Sequence, residues 1–411
     1  MRARGFSVRE LALTLLLLAV VVVVAVRLID LRTRLLVVEK DGPGLGGVLE
    51  AAVRTFSRDL EGAGRGGVLP GEAIRPVEDN TTVRDFSGYR DTGGVLVAVR
   101  AGTDQIGLRG VIRSSLLALG PSRGPDGTSV ADQIRRDASS VDLRASAPRQ
   151  DGDHAEELPS VIERLGSGTP RGKRFFVVAD SSGRYAVALV RKWSPSRISA
   201  RALDLVLDFT DREAIGLNPR GEANAALALG ELVSGGLLDD LVWFVAQGAE
   251  GRPPDYVVTS DPESMRFPHP YLAVARFAGD DRWEIARVGE DVEDFQVAWG
   301  LAGPGDALTW RGEAAGSPAP KAAELVDPAG RSVLRALKIA LTAKAENRYV
   351  RGDGPRPPAD LPPLLNAPLA GSLPGVEPVG WDSVESRRIL FERASREAQL
   401  SPRAPAAAAP R

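Results

Sequence analysis

The residues from Leu11 to Val26 form an apolar run that no charge interrupts, with Thr14 as its one polar side chain. As a helix this run would be about 24 Å long, slightly short of the ~30 Å hydrocarbon core of a bilayer. Arginines precede the run at positions 2, 4 and 9, and basic residues flanking a membrane segment stay on the cytoplasmic side. The sequence therefore predicts a transmembrane segment from Leu11 to Val26, with the rest of the chain exported.

Two simpler interpretations of the apolar run are a cleaved signal peptide and a plain signal anchor. Signal peptidase requires small residues spaced as small-x-small after the apolar stretch. The sequence Ala25-Val26-Arg27-Leu28 does not provide such a site. Ordinary cleavage is therefore disfavoured, and the residues in front of the run distinguish a plain anchor from a more specific signal.

The leader Met1-Arg-Ala-Arg-Gly5 is followed by Phe6-Ser-Val-Arg-Glu10 and then by the apolar run. This arrangement resembles the class III signal of type IV pilins and pseudopilins. In that family a dedicated prepilin peptidase cuts between a glycine and a phenylalanine or methionine. The resemblance implies cleavage between Gly5 and Phe6 and N-methylation of Phe6.

Glu10 would be the fifth residue of the mature chain. A carboxylate at the edge of a membrane is energetically expensive unless it is paired, so it is a candidate functional group. The resemblance implies that its partner is the N-terminal amine of a neighbouring subunit or a component of the assembly platform. The alternative is an interfacial charge that reaches water. We interpret Glu10 as an assembly residue.

The apolar side chains Leu28, Leu31, Leu35 and Val38 recur at helical spacing after the membrane run. They predict one helix over residues 6–40, about 52 Å long. Its first half would lie in lipid, and its second half would pack on a globular head.

The glycine- and proline-rich segment 41–47 should break this helix, because Gly and Pro are poor helix formers. Gly42, Gly44 and Gly47 match the pattern GxGxxG of dinucleotide-binding loops. Pro43, however, removes one of the backbone amides that would face a pyrophosphate. We interpret this segment as a hinge before a second amphipathic helix, and we predict no cofactor.

The rest of the chain is rich in short runs of β-branched and aromatic residues without long helices between them, which favours antiparallel pairing. The clearest hairpin joins the predicted strands 174–179 and 185–191 around Asp180-Ser-Ser-Gly183. The other predicted strands are 94–100, 105–112, 202–209, 241–246, 256–259, 271–277, 283–288, 295–299 and 334–342.

The predicted organisation is a leader (1–5), a transmembrane and spine helix (6–40), a hinge and second helix (41–64), a β-rich extracytoplasmic head (65–350), a proline-rich segment (351–380), a terminal strand or helix (381–400) and a disordered tail (401–411).

Four segments of the chain resemble, in the same order, segments of PilW-like minor pilins. They are 56–64 (FSRDLEGAG), 288–301 (VGEDVEDFQVAWGL), 333–342 (VLRALKIALT) and 387–393 (RRILFER). The departures from the family pattern are the break at 42–47, a polar insertion at 114–172 and the proline-rich 352–380.

Composition excludes several other classes of protein. The 52 basic and 54 acidic residues nearly balance, so no basic footprint for nucleic acid is present. The chain has no cysteine, which excludes disulfides and thiolate chemistry. Its two histidines, His154 and His269, stand in turn-rich sequence, and no nucleophile elbow or phosphate-binding loop is found. We predict no catalytic residues, no metal and no enzymatic activity.

These observations predict an α+β, pilin-like fold, in which a long N-terminal transmembrane and spine helix packs on an antiparallel β-sheet head elaborated with extra strands and loops. The implied function is a minor pilin or pseudopilin that helps to initiate or assemble a type IV pilus or a type II secretion pseudopilus. The implied partners are other minor and major pilins, prepilin peptidase and an inner-membrane assembly platform. The implied location is a single pass through the inner membrane, with a periplasmic head, before incorporation into the filament. The alternative function is a membrane-anchored extracytoplasmic β domain with a ligand-binding or enzymatic role.

Overall fold

The structure is a computed structural model that describes residues 45–76, 86, 88–100, 103–119, 140–146, 161–162, 165, 172–195, 202–248, 270–290, 292–303, 307–312, 319–327, 331–347 and 390–400. The predicted leader, the transmembrane and spine helix (6–40), the proline-rich segment (351–380) and the tail (401–411) all lie outside these residues. The predicted sites Gly5, Phe6, Glu10, Leu11 and Val26 therefore stay predictions.

The described residues contain three α-helices: α1 (Leu45–Gly62), α2 (Pro70–Ala73) and α3 (Arg212–Gly216). The other described elements are mainly strands. They are β1 (Ile74–Pro76), β2 (Val97–Val99), β3 (Ile106–Gly110), β4 (Leu117–Leu119), β5 (Ser140–Ser146), β6 (Phe175–Asp180), β7 (Tyr185–Pro195), β8 (Ala202–Asp208), β9 (Leu232–Leu237), β10 (Asp239–Gly248), β11 (Tyr271–Gly279), β12 (Arg282–Glu290), β13 (Val292–Ala302), β14 (Leu308–Arg311), β15 (Leu334–Asn347) and β16 (Leu390–Leu400).

The strands form three sheets. A six-stranded sheet has the order β1-β3-β10-β11-β12, with β2 paired to β10. A four-stranded sheet has the order β14-β13-β15-β16, and six strands close into a barrel in the order β4-β5-β8-β7-β6-β9. The pairing is antiparallel in each of these sheets, as predicted. The predicted hairpin is also confirmed, because β6 and β7 pair from Phe175↔Leu189 to Ala179↔Tyr185.

The predicted fold class, a long helix on one antiparallel sheet head, is wrong for the described part of the chain. That part is β-rich, and its longest helix, α1, has 18 residues. The prediction did not include the barrel, whose strands pair across long stretches of chain. Two barrel strands, β4 and β5, come from the insertion 114–172, and β5 lies in its polar, turn-rich part, 122–172, where no strand was predicted.

No helix within the described ranges is both long enough and apolar enough to cross a bilayer. The structure therefore does not support the predicted single pass through the inner membrane with a periplasmic head.

The main core lies where α1 packs between the sheets. Its apolar stripe, Leu49, Ala52, Val53, Phe56 and Leu60, is buried, as the three- and four-residue spacing requires. The ring of Phe56 contacts Trp243 of β10 at 5.3 Å and Phe295 of β13 at 5.9 Å, both edge-on. One helix therefore joins the six-stranded sheet to the four-stranded sheet.

The barrel is filled by a second apolar cluster. Phe176 and Val178 of β6 lie in this cluster, whereas Phe175 and Val177 of the same strand lie in the main core. Successive strand residues point to opposite faces. The uninterrupted apolar run Phe175-Phe-Val-Val-Ala179 is therefore explained by burial of both faces of β6.

Candidate functional site: the helix junction

The C-terminal end of α1 lies against the segment after β3 with no room for side chains. A Cβ on Gly62 would lie 2.6 Å from the Cα of Ile112, and one on Gly110 would lie 2.7 Å from the carbonyl oxygen of Gly62. The amide of Gly64 donates to the carbonyl of Arg109 at 3.0 Å. The glycines of segment 56–64 therefore allow the helix end to dock on the sheet backbone. We call this contact the helix junction: residues 59–65 against 109–113.

A buried ion pair adds to the helix junction. The carboxylate of Asp59 accepts hydrogen bonds from Arg113 Nη2 at 2.6 Å and from Arg113 Nε at 3.3 Å. The backbone amide of Arg113 donates to Asp239 Oδ2 at 2.9 Å. Asp59 stands on the apolar side of α1, three residues after Phe56, and a charge in that position requires a partner. Arg113 supplies it and holds the loop after β3 against the helix.

Three of the four family-like segments meet around α1. From 288–301, the side chains of Phe295, Val297 and Trp299 enter the main core. From 333–342, the strand β15 pairs with β13 through Val297↔Ile339, and β16 pairs with β15 through Ile339↔Ala398. The fourth segment, 387–393, is described from 390 onward as the start of β16. The structure thus brings the described parts of these segments together around α1 and the four-stranded sheet.

The opposite face of α1 is polar and exposed. Arg54, Arg58 and Glu61 are exposed on this face together with Ala51. Arg54 Nε donates to Glu50 Oε1 at 3.2 Å, one helical turn away. An exposed pair of this kind contributes little to stability.

A cluster of charges lies on the other side of the six-stranded sheet. Asp240 of β10 accepts hydrogen bonds from Arg109 Nη2 at 2.9 Å and from Arg75 Nη2. Burial would lower the pKa of Arg109, but the charge and the hydrogen bond of Asp240, together with Tyr185 and Glu72, outweigh burial and raise that pKa. For Arg75 burial prevails over the effect of Asp240, and its pKa is lowered. Through the shared carboxylate of Asp240, the two guanidinium groups bridge β1, β3 and β10.

Glu72 of α2 connects this cluster to the barrel. Its Oε2 accepts a hydrogen bond from the hydroxyl of Tyr185 at 2.6 Å, and its Oε1 accepts one from the amide of Arg220 at 3.0 Å. Burial and the Glu72 charge raise the pKa of Tyr185. The neutral phenol is therefore retained as a donor between β7 and α2.

A third polar group fixes the loop that covers the six-stranded sheet. Asp91 Oδ1 accepts from the amides of Gly93 and Val95, both at 2.9 Å, and its Oδ2 accepts from Tyr271 Oη at 2.8 Å and Arg287 Nε at 2.7 Å. Burial alone would raise the pKa of Asp91, but the hydrogen bonds outweigh it and lower that pKa. The carboxylate therefore holds the turn that follows it.

Each of these charged groups joins one structural element to another. Within the described ranges, no group of three or more His, Asp or Glu side chains could hold a metal ion. His154 and His269 lie outside those ranges, and Gly47 is the one glycine of the GxGxxG pattern inside them, within α1. The absence of catalysis, metal and cofactor stays a prediction.

Sequence reasoning missed the Asp59–Arg113 pair and the Arg75–Asp240–Arg109 cluster. The ion pair could have been suspected from the sequence, because Asp59 stands at helical spacing within an apolar stripe. The cluster could not, because its members are far apart in the chain.

No protein-family model matches the chain, and a search of curated proteins found no match either. Among solved structures, a type IV-like pilin from Thermus thermophilus is similar over 61% of this chain and 97% of that one, with 18% sequence identity and a TM-score of 0.20. The chain thus has a distant structural neighbour among the type IV-like pilins, at a similarity too low to support further argument.

Proposed function

We propose that this chain is a structural subunit of the minor pilin or pseudopilin kind that helps to assemble a type IV pilus or a type II secretion pseudopilus. The observation that carries the proposal is the convergence of the family-like segments: Phe56 of the first contacts Phe295 of the second, and β15 of the third pairs with β13. Segments that resemble one family along the sequence therefore also contact one another in space.

The helix junction explains how such a subunit would work. A force applied to the N-terminal side of α1 has to reach the head through the contacts of that helix. The buried Asp59–Arg113 pair and the close backbone contact at Gly62 make this end of the helix a rigid attachment. The polar outer face of α1 would contact neighbouring subunits, and the proposed partners are other minor and major pilins, prepilin peptidase and the assembly platform. The proposed role requires no catalytic chemistry.

Processing of the leader tests the proposal. In cells with a prepilin peptidase, the purified chain should begin at Phe6 with a methylated amine, as measured by mass spectrometry of the intact protein. A Gly5→Val variant should keep its original N-terminus, and so should the wild-type chain in a strain without the peptidase. An N-terminus at Met1 in the peptidase-containing strain would reject the pilin function.

A further inference from the structure

A row of buried polar side chains lies on the face of the six-stranded sheet opposite α1. Ile106 and Leu108 of β3 face the main core, so Gly107 and Arg109 face the other way. Gln105 is buried directly before β3. Arg75 of β1 is paired with Gly107, and its Nε and Nη2 atoms lie 3.2 Å from the position that a Cβ on Gly107 would occupy. The Arg75 guanidinium therefore fills the place of the missing side chain, beside Arg109, with which it shares Asp240.

Four polar atoms of this row are buried without a hydrogen-bond partner in the described structure. They are Arg75 Nε, Arg109 Nε and both amide atoms of Gln105. Gln105 is 3% exposed, and the side chain of Arg109 is 9% exposed. Most buried polar atoms in folded proteins are paired. Three of these four atoms are nitrogens that carry hydrogen, so the row has an excess of donors.

The charges of these side chains also favour an anion. Arg75 and Arg109 are both cationic, and they share the single carboxylate of Asp240, one at each oxygen. The next carboxylate, Glu72, is 3.7 Å from Arg109 Nη1, and its oxygens already accept hydrogen bonds from Tyr185 and Arg220. A buried cation with an incomplete set of acceptors is unfavourable. A small anion would supply both the missing lone pairs and a negative charge.

We propose that Arg75, Gln105 and Arg109 bind a small monovalent anion of about the size of chloride. The unpaired donors come one from each side chain, whereas carboxylates and phosphates are bound by the paired nitrogens of a guanidinium fork. The burial of Gln105 and Arg109 also favours a compact ion. Arg75, whose side chain is 30% exposed, provides the route from solvent. The bound anion would stabilise the contact among β1, β3 and β10, independently of the proposed function.

Thermal unfolding in exchanged salts tests the proposal. Sodium chloride is replaced stepwise by sodium gluconate at constant ionic strength and pH 7, with the purified full chain. We expect Tm to rise by about 2–4 °C as chloride replaces gluconate, because an ion that binds the folded state alone stabilises it by mass action. A Gln105→Leu variant, which keeps the size and loses the amide, should lose this response and melt below the wild-type chain in chloride. Gln296→Leu, which alters a glutamine that is 2% exposed in the four-stranded sheet, should keep the response.

Three results would overturn the proposal. The first is a wild-type Tm that does not respond to chloride, which would leave water as the filler of the row. The second is a rise of Tm with chloride that survives in Gln105→Leu. The third is a Gln105→Leu variant that melts above the wild-type chain, which is the result expected if the amide is unpaired in a site without an ion or water. Should Gln105→Leu fail to fold, crystals of the wild-type chain soaked in bromide give a direct test. An anomalous peak beside Arg75, Gln105 and Arg109 supports the site, and its absence rejects it.

Discussion

The carboxylate of Asp59 lies 2.6 Å from Arg113 Nη2, and the two side chains differ sharply in exposure: 1% for Asp59 and 30% for Arg113. The pair is therefore asymmetric, because only the arginine can be hydrated if its partner is removed. This asymmetry decides which half of the pair matters more to stability.

Removal of Arg113 should destabilise the protein more than removal of Asp59. Arg113→Met leaves a buried carboxylate unpaired, at a cost of about 3–5 kcal/mol in the free energy of unfolding. Asp59→Asn leaves a cation that can turn toward water, so we expect a loss of about 1–2 kcal/mol. Urea unfolding measures both values. Arg54→Met, in the exposed pair with Glu50, is the control and should change stability by less than about 0.5 kcal/mol. Equal losses for the two halves of the buried pair would contradict the asymmetry.

The close contact at Gly62 predicts opposite effects of two Gly→Ala substitutions in α1. In Gly62→Ala, the new methyl group would lie 2.6 Å from the Cα of Ile112, so the helix end has to shift. We expect this shift to lower the free energy of unfolding by about 1–3 kcal/mol. In Gly46→Ala, nothing lies within 4 Å of the added carbon, and better helix propensity should stabilise the protein by up to about 1 kcal/mol. Thermal and urea unfolding of both variants should show the opposite signs. A neutral Gly62→Ala would mean that the helix junction is not tightly packed.

Asp91 predicts how stability depends on acid. Its folded-state pKa is lowered by the hydrogen bonds from Tyr271, Val95 and Arg287, against the effect of burial. A carboxylate with a lowered pKa stabilises the fold above its unfolded-state pKa of about 3.9, and this contribution is lost as the pH falls through the folded-state value. The unfolding free energy of the wild-type chain should therefore fall steeply below about pH 4.

Two variants isolate the contribution of Asp91. Asp91→Asn should be less stable at pH 7 and should show a shallower decline in acid, because the titrating group is gone. Tyr271→Phe removes one of the donors and should give an intermediate decline. Urea titrations at several pH values between 3 and 7 measure both slopes. Asp180 and Asp208 also have pKa values that hydrogen bonds lower against the effect of burial. An unchanged acid slope in Asp91→Asn would show that such other carboxylates dominate the loss of stability in acid.

Glu10 predicts a defect in assembly without a defect in folding. It precedes α1 by more than thirty residues, so Glu10→Ala should leave the melting temperature of the head unchanged. In a filament it would leave a neighbouring amine unpaired, at a cost of about 3–5 kcal/mol. Co-purification with partner pilins and filament counts should fall strongly for Glu10→Ala and nearly as much for Glu10→Gln, which keeps the shape and loses the charge. Wild-type assembly by both variants would reject the role.

The strands that were predicted correctly are those whose signal is local. The run Phe175-Phe-Val-Val-Ala179, the turn at Asp180 and the run that begins at Tyr185 identify β6, β7 and their antiparallel pairing. The apolar stripe of α1 likewise predicts which side of the helix is buried, and an aspartate at position 59 on that stripe already implies a partner. In each case the residues that decide the outcome are within a few positions of one another, where steric and hydrogen-bonding rules act directly.

Other features were decided by contacts between distant segments. β9 contains Gly235 and Gly236, which in sequence resemble a loop. It is a strand because Phe176 and Val111 occupy the space that side chains at these two positions would need. A Cβ on Gly235 would lie 2.5 Å from Phe176, and one on Gly236 would lie 2.7 Å from Val111. β4 has three residues, too few to show any periodicity, and it exists because β5 and β9 supply its hydrogen-bond partners. The choice of Arg113 for Asp59, and the meeting of Arg75, Gln105 and Arg109, likewise required the tertiary structure. Pairing across long stretches of chain depends on which surfaces fit together after collapse, and local sequence preferences carry no information about that fit.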